Sequence, residues 1–216
     1  MTENDQQPIV VLFCDIMGCS EISNHKDLAE YNKFLSSFHE IFMDVANRHQ
    51  QIWYGQNERR YYKPSVRWDE GCLMIFMPHK DKPFDFASDV DVAINVALEL
   101  KKRWLLCPDN KLRIQDSGLL PTDLAIGIHV GKAYINPVKD IAGNDDFRPE
   151  GYAINLTKRI EGESREGQFT HIFISEAARG TLHLLTDEST YTFAPTRSFQ
   201  PKGISRDIRV FEVKHH

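Results

Sequence analysis

The stretch VVLFCDIMGCSEIS, Val10 to Ser23, carries an apolar run into a single carboxylate, Asp15, and then turns at Gly18 into small polar residues. A charge closing a buried strand costs free energy unless something uses it. The run reads as a strand from Ile9 to Phe13, followed by a turn at Met17–Ser20. Asp15 is therefore the residue to explain.

Outward from this strand, apolar residues at 28, 31, 34, 35, 38, 41, 42 and 45 recur every three or four positions, which predicts a helix over 27–50. WDEG, Trp68 to Gly71, reads as a hairpin turn leading into a strand from Cys72 to Met77. A second amphipathic helix spans Phe86 to Leu106, and Lys101, Lys102 and Arg103 near its end suit the helix dipole. LAIGIHVGKAYI, Leu124 to Ile135, predicts two strand segments bent near Gly131, followed by a polar loop from Lys139 to Glu150. A short helix falls within Gly151–Glu161, a strand at Phe169–Ser175, and an edge strand at Arg209–Val213. Strands and helices interleave without a sustained βαβ rhythm. The expected fold class is α+β, a mixed and mainly antiparallel sheet with helices packed on it, in one domain over residues 1–216.

Of the 216 residues, 41% are hydrophobic and 26% charged, as in soluble globular proteins. The net charge of −5 supplies no large positive field, which argues against a general nucleic-acid or membrane-surface binder. It leaves room for a small anion held by a few local cations. Cys14, Cys19, Cys72 and Cys107 form no CxxC pair and read as reduced thiols. The polar start, MTENDQQP, lacks a signal-peptide core, and no apolar stretch approaches the roughly 20 residues of a membrane helix, so a cytoplasmic location is expected. His129, between apolar strand residues, reads as a core histidine.

Five blocks in order resemble the catalytic domain of class III nucleotidyl cyclases. VLFCDIMGCSEIS is similar to that family's strand–Asp–turn–helix opening, and VRWDEGCLMIF stands in place of its second metal-binding hairpin. LAIGIHVGKAYI resembles its IGIHxG strand pair, GYAINLTKRIE its GDAVNLAARLE helix, and FQPKGISRDIRVFEV its closing strands. The resemblance covers roughly residues 8 to 214.

It implies cyclisation of a nucleoside triphosphate with two divalent cations, Mn²⁺ or Mg²⁺, per active site. By resemblance the metals are held by Asp15, the carbonyl of Ile16 and Asp69, with Glu70 as the alternative in the other register of the hairpin. The turn Met17-Gly18-Cys19-Ser20 is expected to aim backbone N–H groups at phosphate oxygens, with Gly18 supplying unusual backbone angles. Asn155 and Arg159, four apart on one helix face, orient the ribose and stabilise the pentavalent phosphate. In this class the metal carboxylates and the Asn/Arg pair come from different subunits, so a homodimer with two shared sites is implied.

The chain departs from the purine cyclases at the base. The strand position that carries Lys or Glu in the family is Ser65, or Val66 in the other register, and the position often held by Asp is Arg148. Arg148 has donors only and suits a carbonyl-bearing edge. The pattern resembles the bacterial anti-phage pyrimidine cyclases of the Pycsar type, which implies cyclic UMP or cyclic CMP, with UTP favoured over CTP. The alternatives are a purine cyclase and a degenerate nucleotide-binding module without activity.

Overall fold

Strand β1 (Gln6–Ile16) pairs antiparallel on one side with β3 (Gly71–Phe76) and on the other with β4 (Leu124–Lys139), so that Val10 lies opposite both Phe76 and Val130. This is a computed structural model, and it describes residues 6–19, 22, 28–54, 62–67, 71–76, 86–111, 121–139, 145–182 and 191–214. The sheet continues as β2 (Tyr62–Arg67), β3, β1, β4, β6 (Ile172–Ser175), β9 (Ile208–Lys214) and β7 (Thr192–Phe193). β5 (Asp145–Glu150) adds to β4, and β8 (Arg197–Phe199) adds to β9. Every described pairing is antiparallel except β4 with β6. The expected α+β class with a mixed, mainly antiparallel sheet is the one observed.

Both faces of β1 are covered, which explains its unbroken apolar run. Val10, Leu12, Cys14 and Ile16 pack with Phe34, Phe38 and Phe42 of α1 (Leu28–Tyr54) and with Ile94 and Trp104 of α2 (Phe86–Leu106). Ile9, Val11 and Phe13 face the other way, with Leu73, Ile75 and Ala153 of α3 (Tyr152–Ser164). Side chains alternate along a strand, so Asp15 falls on the α3 face.

Helix α3 lies against β4 because β4 has two glycines there. A Cβ on Gly127 would stand 2.6 Å from the Thr157 carbonyl oxygen, and one on Gly131 would stand 2.8 Å from the Ala153 Cβ. Positions four apart on a strand share a face, so the spacing in IGIHVG is the footprint of α3.

Several boundaries differ from expectation. β4 runs unbroken past Gly131, exchanging β1 for β5 as its partner at Tyr134. The second half of the expected polar loop is strand β5. β6 begins at Ile172, not Phe169, because the amides of Gln168, Phe169, Thr170 and His171 all donate to the Glu212 carboxylate of β9. β9 is not an edge strand, since β6 flanks it on one side and β7 and β8 on the other. Lys101 does not serve its helix end: its ammonium turns inward to Asp123 Oδ1 at 2.5 Å and to the Leu124 carbonyl. The four cysteines are free thiols, and burial pushes Cys14 and Cys72 up from their ordinary range. His129 is buried and hydrogen-bonded to Ser175 Oγ at 2.8 Å, as a core histidine. No helix among the described residues is long and apolar enough to cross a membrane.

Candidate active site

Asp15 stands next to last in β1, and its side chain is one-third exposed. Its Oδ1 accepts the amide of Ile16 at 2.8 Å, and its Oδ2 accepts Arg165 Nη2 at 2.6 Å. Arg165 is the residue on which α3 ends. Its Nη2 and Nε also donate to Glu161 Oε1, at 2.8 and 3.1 Å. One guanidinium thus joins a carboxylate of β1 to a carboxylate of α3.

The electrostatics follow from depth. Glu161 is buried, and desolvation pushes its carboxyl up to about 7 against the pull of Arg165. Burial also works against the charge on Arg165, but Glu161 and Asp15 outweigh it and hold the guanidinium above its usual value. Sequence reasoning missed both residues. The signal was present: Glu161 follows Ile160 on the inward face of its helix, and a buried carboxylate calls for a partner, here an arginine one turn later.

On the other side of Asp15, a Cβ on Gly71 would stand 3.2 Å from the Asp15 Cβ. Gly71 pairs with Arg67, which closes the expected β2–β3 hairpin. Asp69 and Glu70 lie outside the described residues, in the connection whose two ends are fixed at that pair. Ser65 and Val66 occupy β2, opposite Leu73 and Cys72.

In the turn after β1, Gly18 has φ 73°, in the left-handed region that glycine tolerates. The Met17 amide donates to the Asp123 carbonyl at 2.9 Å, so it is already engaged within the chain. The Gly18 carbonyl accepts the amide of Ile22, and Cys19 Sγ lies 3.0 Å from Tyr31 Oη. Burial and that contact push the Tyr31 phenol up to about 12. Ser20 lies outside the described residues.

Asn155 and Arg159 share the exposed face of α3, while Leu156, Ile160 and Glu161 point inward. Within one chain the residue that meets Asp15 is Arg165, not Asn155 or Arg159. Arg148 sits on β5 rather than in a loop, exposed and paired with Glu150 at 2.8 Å.

Among the described residues no group of three or more His, Cys, Asp and Glu side chains is arranged to hold a metal. Asp15 nonetheless fits a hard cation. It is a part-exposed oxygen donor already engaged by a guanidinium, and it touches the strand that follows Asp69 and Glu70.

No protein-family profile matches the sequence, and no curated protein matches it. Solved structures do. The guanylyl cyclase Cya2 superposes with a TM-score of 0.69 at 21% identity, covering 96% of this chain and 92% of that one. The adenylyl cyclase CyaB from P. aeruginosa gives 0.73 at 15% identity, covering 98% and 95%. The guanylate cyclase domain of RhGC from Catenaria anguillulae, in complex with GTP, gives 0.66 at 15% identity, covering 98% of each. Nearly the whole chain takes part in each superposition, and the chain has the fold of the adenylyl and guanylyl cyclase catalytic domains.

Proposed function

We propose that this protein is a nucleotidyl cyclase acting on a pyrimidine nucleoside triphosphate, UTP in preference to CTP. In the reaction the ribose 3′-oxygen forms a bond to the α-phosphorus, the bond from that phosphorus to the bridging oxygen breaks, and pyrophosphate leaves. The proton of the 3′-hydroxyl passes to solvent. The observation that carries this reading is the position of Asp15, a part-exposed carboxylate ending β1 on the α3 face of a cyclase fold.

In this reading Asp15, the Ile16 carbonyl and Asp69 (or Glu70) hold two divalent cations, Mn²⁺ or Mg²⁺. When bound, these ions neutralise the triphosphate and activate the attacking oxygen. The amides of Gly18, Cys19 and Ser20 meet the phosphates, and the Met17 amide, bonded to Asp123, holds the turn in place. Arg159 and Asn155 serve the site of a second copy of the chain, which agrees with their exposure and with their lying on the face of α3 opposite Glu161. Arg159 meets charge developing on the phosphorus, and Asn155 orients the ribose. The pyrimidine preference rests on Arg148 and on Ser65 or Val66, which lack the acceptor and the long side chains of purine selection. A role in anti-phage signalling in the cytoplasm follows from the same resemblance.

A purine substrate is the second reading. It is favoured by the likeness to adenylyl and guanylyl cyclases and by Glu150, whose carboxylate beside Arg148 offers an acceptor to a base amino group. Incubation with Mn²⁺ and an equimolar mixture of ATP, GTP, CTP and UTP, with chromatographic identification of the product, separates the readings. Cyclic UMP or cyclic CMP is expected. A purine cyclic nucleotide overturns the base assignment, and no cyclic product overturns the activity.

A further inference from the structure

We infer that Arg165 is a resident counter-cation of the Asp15 site, which a divalent ion must displace, and that Glu161 retains it afterwards. The inference rests on the reading of Asp15 as a metal ligand. Three geometric facts carry it. Oδ1 of Asp15 is turned to the Ile16 amide, so Oδ2 is the oxygen left for a cation, and Arg165 Nη2 sits on it at 2.6 Å. Arg165 has one bond to Asp15 but two to Glu161, through Nε and Nη2, so it can release Asp15 while keeping a partner. Glu161 is fixed one turn earlier in α3 with its side chain only 6% exposed, whereas Asp15 and Arg165 are one-third exposed and open to exchange with an ion from solvent.

A guanidinium and a divalent cation on one carboxylate repel each other at a few ångströms, in surroundings where water screens them only in part. Arg165 therefore lowers the metal affinity of Asp15. It also keeps Asp15 and Glu161 from facing each other as unpaired carboxylates when no metal is bound. The chain holds its active-site aspartate in place without metal and yields it only when enough metal is present.

The test is Mn²⁺ alone, titrated into the full chain and followed by the electron paramagnetic resonance signal of the free ion. Arg165→Gln is expected to bind Mn²⁺ at least tenfold more tightly than the parent, and Arg165→Lys to fall between them. Glu161→Gln is expected to move the other way, several-fold weaker, because Arg165 then has Asp15 as its remaining carboxylate partner. Asp15→Asn should remove the binding in every background. If Arg165→Gln binds as weakly as the parent or more weakly, Arg165 is a positioning group and the inference falls while the metal reading stands. Should Arg165→Gln not fold, equal or tighter binding by Glu161→Gln overturns the inference on its own. Absence of Mn²⁺ binding in the parent and all variants overturns the metal reading of Asp15 itself, which nucleotide turnover tests separately.

Discussion

Gly127 lies directly beneath Glu161: a side chain beginning at Gly127 would place its Cβ 2.6 Å from the Glu161 amide nitrogen and 3.1 Å from its Cα. The neighbour is helix backbone, which cannot step aside as a side-chain tip can. Gly127→Ala is expected to push α3 off β4 and to destabilise the fold by about 1–3 kcal/mol. It should also weaken whatever depends on the Asp15–Arg165–Glu161 alignment. Urea unfolding measures the first effect, and an unchanged midpoint would show that α3 is not packed as described.

Glu212 makes a second test of packing. Its carboxylate gathers the amides of Gln168, Phe169, Thr170 and His171, which fixes the connection between α3 and β6. Burial resists its ionisation, but those four donors prevail and hold the carboxyl below its usual range. Stability from this group is present above the unfolded carboxyl value and drains away as pH falls through the lower folded value. Glu212→Gln keeps one acceptor oxygen for four donors and should lose roughly 2–4 kcal/mol at pH 7. The loss should shrink in acid, as chemical unfolding at pH 7 and pH 3.5 would reveal.

His129 sets a pH dependence of its own. Burial first, and the positive charge of Arg206 second, lower it to about 4. The unfolded chain takes up a proton near pH 6.5 while the folded chain does not, so stability is lost as pH falls from about 6.5 toward 4. The loss amounts to about 2–3 kcal/mol from this one group. His129→Gln keeps a hydrogen-bonding partner for Ser175 and should flatten that part of the stability–pH curve. An unaltered slope in the variant would assign it to other groups.

The shared site has a subunit-mixing signature. Asp15→Ala and Arg159→Ala are each expected to abolish cyclisation while circular dichroism shows the fold retained. Random mixing makes half the dimers mixed, and each mixed dimer rebuilds one site of two, so about a quarter of the parental rate should return. A mixture as inactive as its components rules out sharing of the site between subunits.

Much of the architecture was legible in residue order alone. The run from Ile9 to Phe13 and the bounds Phe86 to Leu106 follow from local periodicity, and each lies where that periodicity puts it. The expected turn WDEG falls outside the described residues apart from Gly71, which pairs with Arg67. The polar Asp145–Glu150 did not read as a strand, because its strand character comes from pairing with β4 and not from its own side chains. Likewise RVFEV alternates like an edge strand yet lies inside the sheet, since alternation records which face is buried and not how many neighbours a strand has.

The same division holds at the site. The sequence by itself determined that a carboxylate closes the first strand, that an asparagine and an arginine share one helix face, and that the glycines of IGIHVG repeat on one face of a strand. These are consequences of fixed helical and strand periods. Only the tertiary structure decided that Asp15 meets Arg165, 150 residues away, with Glu161 holding the other side of the guanidinium. Such a contact depends on how closely α3 is allowed to approach the sheet, and that distance is set by the missing side chains of Gly127 and Gly131.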